Sequence, residues 1–535
     1  GTDVSIDGKV CAYILRSPVM GAKALGVSAT EALKQQGVLD IFAFERGVAV
    51  VAEKYWQAQR AARLLKVEWG KGRTEGLNTR ELAQEALGRT DKKSDFTNKD
   101  IGNVEKVWER EDIQTLALDY EYPFLSHAPM EPQNCTALVD GDRVTLWVPT
   151  QAPTVCVSLV QQLFDIPKEN IEVNITMLGG GFGRRSCVDF VLETLQIAKR
   201  IPRIPVQVIW TREDDMTMGY YRPQGACRMQ GAVDDAGNIV AIHSHLVSQL
   251  LFPDLGEQLD GAFPRLVPEK MRKKLAYAAT GYLSGTSLMG FVEGGDIATC
   301  KYAIPNYRYD FTPIHTNVPV TAWRSVAHSY STFMMETFVD QLAVIGNQDP
   351  VSLRQKMLSD HPRYLKVIDT VLHNSRWGEP LEQGWGRGFA ISEFARSVIA
   401  QVVEAGIVEG QIVVRSVTCA VDCGLVVNPD IVRAQVEGGV VYGLSMMYEK
   451  IELVEGVVQQ RNFDTFPALR MHQMPLVNTI IVPSDNDPTG IGEIAVPPIN
   501  AAVSNAIFAA TGVRLTKMPL QEAWDAQQPA SNKEG

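Results

Sequence analysis

No stretch of eighteen consecutive apolar residues occurs in this 535-residue sequence, so no membrane-crossing helix is expected. A basic surplus is missing too. Lys and Arg number 51 against 62 Asp and Glu, a net charge of −11, and so acidic a chain has little with which to neutralise nucleic-acid phosphates. Metal-site cysteine spacing is also absent. The eight cysteines (11, 135, 156, 187, 227, 300, 419 and 423) are scattered, and only Cys419 and Cys423 lie close together. No second pair completes a zinc or iron–sulfur set, so buried apolar thiols are the expectation. There is no internal repeat, no low-complexity tract and no secretory leader. The chain starts Gly1-Thr2-Asp3 without an initiator Met, which points to processing or to sequence that continues upstream.

What is present describes an ordinary globular protein of roughly three domains, 45% hydrophobic and 21% charged. Residues 1–72 read as a small α/β unit, with strands at Val10–Arg16 and Ile41–Val51 and helices at Ala29–Gln36 and Tyr55–Leu65. Residues 73–111 are polar and lysine-rich and read as an exposed linker. From residue 112 strands and helices alternate. Strands are expected at Thr115–Tyr122, Thr136–Asp140, Arg143–Trp147, Val206–Thr211, Cys227–Val233 and Gln411–Val421. Helices are expected at Ala152–Phe164, Tyr330–Val344, about 430–448 and Ile499–Thr511. The segment 253–298 suggests long loops, and the basic cluster Lys270–Lys274 a solvated helix face.

The stretch that organises the rest is Met177–Ser186, Met-Leu-Gly-Gly-Gly-Phe-Gly-Arg-Arg-Ser. An alternating strand, Ile171–Thr176, runs into it, and helical periodicity over Val188–Leu195 follows. Consecutive glycines allow positive φ and close backbone approach to a ligand. A helix starting just beyond would aim free N–H groups at an anion. The pattern fits neither the P-loop nor the dinucleotide fingerprint, and alone it could be only a tight turn.

Four further segments carry polar residues in unusual settings. These are Gln151 in Thr150-Gln-Ala-Pro153, Arg324 in Thr321-Ala-Trp-Arg-Ser325, Gln435 in Gln-Val-Glu-Gly-Gly, and Glu493 in Gly490-Ile-Gly-Glu493. Each has a plainer explanation: a cap for Gln151, a surface ion pair for Arg324, a solvated helix position for Gln435, a helix-dipole partner for Glu493. Taken together and in this order, the sequence resembles the large, molybdenum-binding subunit of the xanthine oxidase family of molybdenum hydroxylases. It is most similar in texture to the branch that holds the β chain of isoquinoline 1-oxidoreductase and the bacterial membrane-associated aldehyde dehydrogenases. Supporting segments are Leu15-Arg-Ser-Pro-Val19, Gly47–Ala52, Ala62–Trp69, His127-Ala-Pro-Met-Glu-Pro132 and Asp422-Cys-Gly-Leu-Val-Val-Asn-Pro429.

The resemblance implies an α+β fold: an a/b hammerhead domain over 1–72, a linker over 73–111, and a molybdopterin-binding region in two parts, 112–384 and 385–528, before a tail at 529–535. It implies that Gln151 hydrogen-bonds an oxygen of the molybdenum centre and that Gly180, Gly181, Phe182 and Gly183 approach the metal and the pterin. It further implies that Arg324 lies beside the metal, that Gln435 and Gly492 contact the cofactor, and that Glu493 is the catalytic base. No side chain ligates the metal, which the cofactor's own sulfurs hold. The cofactor is a molybdenum–pterin, either molybdopterin or its cytosine dinucleotide.

The sequence departs from the family pattern at several points. Arg184, Arg185 and Ser186 stand where purine-oxidising members carry a second carboxylate. Their substrate-clamping arginine falls near Val292-Glu293, and Ser325 stands where carbon monoxide dehydrogenases have a cysteine. Neither purine nor carbon monoxide is therefore the expected substrate; an N-heteroaromatic carbon or an aldehyde is. The Met-Gly-Gln-Gly pterin segment is absent. The implied partners are a chain or segment that completes the pterin site, a [2Fe–2S] subunit that takes the electrons, and a cytochrome c beyond it, in the bacterial periplasm or cytoplasm. The contrasting expectation is a non-catalytic family member without metal.

Overall fold

The computed structural model describes residues 1–251, 271 and 287–528. The tail at 529–535, the basic cluster Lys270–Lys274 apart from Met271, and most of the expected loop segment 253–298 lie outside the described residues.

The fold is mixed helix and sheet, as expected, and is built on three main sheets. The first has seven strands in the order 171–175, 143–148, 134–140, 206–209, 10–15, 47–52 and 38–44. The second has five, in the order 96–101, 306–314, 239–249, 225–234 and 113–122. The third has four: 385–394, 397–408, 411–422 and 476–481.

Residues 1–72 differ from the reading as a separate unit. Val10–Ala12 pair in parallel with Val206–Val208, so the N-terminal strands and those at 134–209 form one sheet. The expected strand Ile41–Val51 is two strands, Val38–Phe44 and Gly47–Ala52. They are joined by a turn at Glu45-Arg46, where Gly47 sits at φ +147 and a Cβ would lie 2.5 Å from the Leu15 carbonyl oxygen. The helix expected at Ala29–Gln36 is confined to Thr30–Leu33.

The expected linker at 73–111 is also corrected. It forms the helix Thr79–Thr90, the strand Phe96–Ile101 and the short helix Val104–Trp108. The strand closes one edge of the five-stranded sheet, antiparallel to Tyr307–Phe311, and Thr97 donates to Asp310 Oδ1 at 2.6 Å. Charge-rich composition misled because edge strands carry charge; in this segment the polar residues mark a solvent face.

Burial between the second and third sheets explains the helix His328–Ile345, nearly all of whose side chains are inaccessible. Its buried carboxylates are neutralised by Arg354, which is fully buried and donates from Nε to Glu336 Oε2 at 3.0 Å, with Asp340 3.4 Å away. The helix Ile499–Thr511 lies backbone-to-backbone on the strand Trp385–Phe394. At Gly386 and Gly388 a Cβ would fall 2.2 Å from the Ala506 oxygen and 2.0 Å from that of Ala502, so only glycine admits the contact. This approach fixes the start of that helix, and with it Glu493 just upstream. Of the eight cysteines, seven are buried and Cys300 is half-buried.

Candidate active site

Five segments far apart in sequence meet at one place, and hydrogen bonds link them. The glycine loop follows the strand Ile171–Ile175 and is held from behind by Arg185, which is fully buried. Arg185 donates from Nε to the Gly180 carbonyl at 2.8 Å, from Nη1 to Pro149 O at 3.2 Å, and from Nη2 to the backbone and side chain of Glu131 at 2.8 and 3.0 Å. Glu131 in turn accepts from Gly179 N at 3.0 Å. Gly180 and Gly183 adopt φ of +96° and +104°, and Phe182 between them +56°. The helix expected over Val188–Leu195 is present as Asp189–Arg200, set back from the loop itself. A 3-10 turn at Arg184–Ser186 intervenes, and the helix starts at Asp189, whose carboxylate takes both Arg184 terminal nitrogens at 2.8 and 2.7 Å.

Gln151 is tied to this loop at both ends. Its backbone N–H donates to Arg185 O at 2.9 Å, and its Oε1 accepts from Gly183 N at 3.2 Å. Its amide NH2, exposed and without a partner among the described residues, remains as a donor.

Gly183 packs so closely on the next segment that a Cβ would lie 1.9 Å from the Ala322 oxygen. That oxygen also faces Nε2 of buried His127 at 2.9 Å, while Nδ1 faces Tyr220 O at 3.2 Å. Burial pushes His127 down to about 4 despite these carbonyls. The ring is therefore neutral near pH 7 and carries one N–H, which can serve either carbonyl.

Two residues on, Arg324 is no surface ion pair; only 7% of it is accessible. Its Nε donates to Gly492 O at 2.9 Å, and Nη2 reaches Gly492 O and, at 3.3 Å, Gln435 Oε1. Gln435 is carried on the helix Pro429–Ser445. Asn428 caps that helix, accepting from Asp430 N and Ile431 N, and Pro429 opens it. Gly439 and Gly443 let the helix press on Ala495 and Ile499, where a Cβ would meet side-chain atoms at 2.8 and 2.5 Å. Glu493 is half-buried. Its Oε1 accepts from Ser325 N at 2.9 Å, and its backbone oxygen accepts from Ser325 Oγ at 2.8 Å. Oε2 has no partner among the described residues. Ser325 and Val326 hold φ of +73° and +49°, a strained turn of the kind that clusters at functional sites.

An aromatic stack lines the same place. Phe182 stacks on Tyr442 at 4.3 Å, and Tyr442 on Trp323 at 4.7 Å. The Arg324 guanidinium carbon lies 5.8 Å from the centres of both the Phe182 and Tyr442 rings. Tyr442 also donates to His127 O at 2.8 Å.

The sequence matches the molybdopterin cofactor-binding domain over residues 89–256 and 274–358, and a second molybdopterin cofactor-binding domain over 361–475. The chain belongs to the xanthine oxidase family of molybdopterin-binding proteins. The beta chain of isoquinoline 1-oxidoreductase from Brevundimonas diminuta is 29% identical over 98% of this chain and 66% of its own length. The membrane-bound aldehyde dehydrogenase (pyrroloquinoline-quinone) of Gluconacetobacter polyoxogenes is 27% identical over 97% of this chain and 69% of its own. A nicotinate dehydrogenase chain of Pseudomonas putida is 26% identical over 94% and 42%. The chain thus spans about two thirds or less of these relatives. Among solved structures, quinoline 2-oxidoreductase from Pseudomonas putida 86 superposes with a TM-score of 0.76 at 15% identity, over 99% of this chain and 96% of that one; the fold is shared.

The residues present suit the molybdenum–pterin cofactor of this family. Around Gly438 there is no atom within 4 Å of a notional Cβ, and around Gly492 only Gln435 Oε1 at 3.9 Å. Beside them stand the open amide of Gln151, the free oxygen of Glu493 and the flat ring of Phe182. Backbone and amide donors around open space are what a large polar group requires if it carries its own metal ligands.

Of the residues singled out from sequence, Gln151, Gly180–Gly183, Arg324, Gln435, Gly492 and Glu493 are all brought into this linked set. Arg184 and Arg185 turn inward as braces and do not face a substrate. Glu293 is buried and accepts from Leu251 N at 3.3 Å; a carboxyl in that place supplies no positive charge with which to clamp an anion. Sequence reasoning passed over Ser325 as a positioner, His127, Tyr442 and Glu131. For His127 and Glu131 the signal was at hand, since both lie in the supporting segment His127–Pro132.

We expect Arg185→Met to destabilise the fold by roughly 1–3 kcal/mol, because it takes donors from the Gly180, Pro149 and Glu131 carbonyls, while the Glu131 carboxylate keeps Gly179 N, Thr2 N and the N-terminal ammonium. Urea denaturation checks this, and a change under about 1 kcal/mol would show that the loop does not depend on the brace.

Proposed function

We propose that this chain is the molybdenum-cofactor-binding catalytic part of an oxidoreductase that hydroxylates an N-heteroaromatic carbon or oxidises an aldehyde with oxygen from water. The observation that carries this reading is Glu493: one oxygen pinned by the Ser325 N–H, the other free, in a space bounded by Gln151, Arg324, Gln435 and Gly492.

When bound, the cofactor supplies the oxidising centre that accepts the electron pair. Glu493 Oε2 takes the proton from the water-derived oxygen as that oxygen bonds to the substrate carbon; a base so placed contributes about 10²–10⁴ in rate. The free amide NH2 of Gln151 would serve as a hydrogen-bond donor to an oxygen of the bound cofactor. Arg324 fixes Gly492 and Gln435 so that Glu493 and the helix amide share one frame. The balance is substrate C–H plus water giving C–OH, two protons and two electrons. The electrons pass to a [2Fe–2S] partner and on to a cytochrome c, and a further chain or segment completes the pterin side. Arg184 and Arg185, both engaged with the protein, leave an uncharged aromatic or aldehyde as the fitting substrate.

The test is turnover of isoquinoline and of benzaldehyde by the protein purified with its native partners, in isotopically labelled water. Label from water in the product is the expected outcome, with molybdenum present by mass spectrometry. Oxygen drawn from labelled dioxygen, or full turnover without molybdenum, would overturn the assignment.

A further inference from the structure

A second cavity, of about 480 Å³, lies between the N-terminal strands and the two helices Pro153–Phe164 and Asp189–Arg200. None of the residues that bracket Glu493 lines it. Its size is that of a small-molecule site. Four cationic side chains border it, Arg16, Lys23, Arg46 and Arg73, against three anionic ones, Glu45, Asp189 and Glu193.

The anions are already engaged. Arg16 grips Glu193 with both terminal nitrogens at 2.7 and 2.8 Å, Arg184 grips Asp189 in the same way, and Lys23 lies 3.6 Å from Glu45. Arg46 and Arg73 are left without an ion pair within 4 Å among the described residues. Both are aimed. Arg46 stands at the tight turn closed by Gly47, and the stem of Arg73 crosses Gly21, where a Cβ would meet its Cγ at 3.1 Å. The fields of both arginines reach the Tyr220 hydroxyl, which also lines the cavity. In a chain of net charge −11, two guanidinium groups without a direct ion pair share one concavity, Arg46 within the fields of Glu193 and Asp189 and Arg73 exposed to solvent. Apolar walls complete it: Val19, Met20, Leu159, Leu163, Leu192 and Met218.

We propose that this cavity binds an organic carboxylate with an apolar body, its carboxylate between Arg46 and Arg73 and its hydrocarbon part against the helix side chains. Guanidinium groups take carboxylates in charge-assisted, planar pairs, and the apolar lining discriminates against small inorganic anions. The segment Leu15–Val19, which nothing in the active site uses, supplies one wall. The inference is independent of the reaction proposed above, because it concerns different residues.

Calorimetric titration of the natively purified protein with benzoate, phthalate and inorganic phosphate tests it. We expect saturable binding of benzoate or phthalate, weakened about tenfold or more in Arg46→Gln/Arg73→Gln, with turnover of the enzyme's substrate unchanged. Arg73→Gln alone, at an exposed side chain, should weaken binding in the same direction without disturbing packing. Equal affinity in parent and double variant would place the ligand elsewhere and overturn the proposal. So would phosphate binding more tightly than either carboxylate, or no saturable binding of any of the three.

Discussion

Glu493→Gln should lower turnover by roughly 10²–10⁴ while fold and molybdenum content match the parent protein. The substitution is nearly isosteric, and an amide oxygen can still accept the Ser325 N–H that holds Oε1 at 2.9 Å. The Ser325 Oγ contact goes to the Glu493 backbone oxygen and is untouched. What disappears is the ability of the other oxygen to accept a proton. The loss should fall on kcat and kcat/KM alike, because the proton moves only in the transition state. A variant within a factor of about three of the parent would remove Glu493 from the mechanism.

The glycine loop predicts an equally large effect of another kind. Gly183→Ala should abolish cofactor retention. Two of the loop glycines face different obstacles. At Gly181 a Cβ would meet Gln151 Oε1 at 2.5 Å, the end of a side chain that can swing away. At Gly183 it would meet the Ala322 carbonyl at 1.9 Å, with φ at +104°, and neither can yield without moving the Trp323–Ser325 turn. Arg324 and Ser325 would then lose register with Gly492 and Glu493. Molybdenum measured by mass spectrometry should fall to background while far-UV circular dichroism is retained, because the strain is confined to the loop. Full molybdenum content in a folded variant would show the loop to be a turn only. A milder Gly181→Ala variant, expected to keep more cofactor, guards against a result due to misfolding.

Why these residues could be found in sequence, and others could not, follows from what holds each in place. Close backbone approach leaves glycine, and glycine is visible: the loop at 179–183 and Gly490-Ile-Gly-Glu493 mark where chains must nearly touch. Arg324 and Gln435 stood out as polar groups among apolar neighbours. Ser325 did not, because its role depends on a left-handed turn and on a partner 168 positions away, and neither leaves a local pattern. Tyr442 reads as one more core aromatic on a helix until Phe182 and Trp323 are seen on its two faces. The strand Phe96–Ile101 was mistaken for linker because an edge strand with one wet side has the composition of a loop. The single expected strand over Ile41–Val51 failed for a complementary reason: two apolar runs flank Glu45-Arg46-Gly47, and that short charged break, a turn signal in its own right, is where the chain doubles back.

The shared seven-stranded sheet bears on the order in which the molecule can assemble. The strand Val10–Leu15 is flanked on one side by Gly47–Ala52, about forty positions on, and on the other by Val206–Ile209, nearly two hundred on. During synthesis the first partner emerges early and the second late, so a half-sheet with one open edge must persist while the intervening residues leave the ribosome. Pairings of such long range are slow to form and expose a sticky edge meanwhile. Lys9, just ahead of that strand, reaches Gln207 of the late partner at 2.7 Å, and charge beside an open edge works against wrong pairing in general.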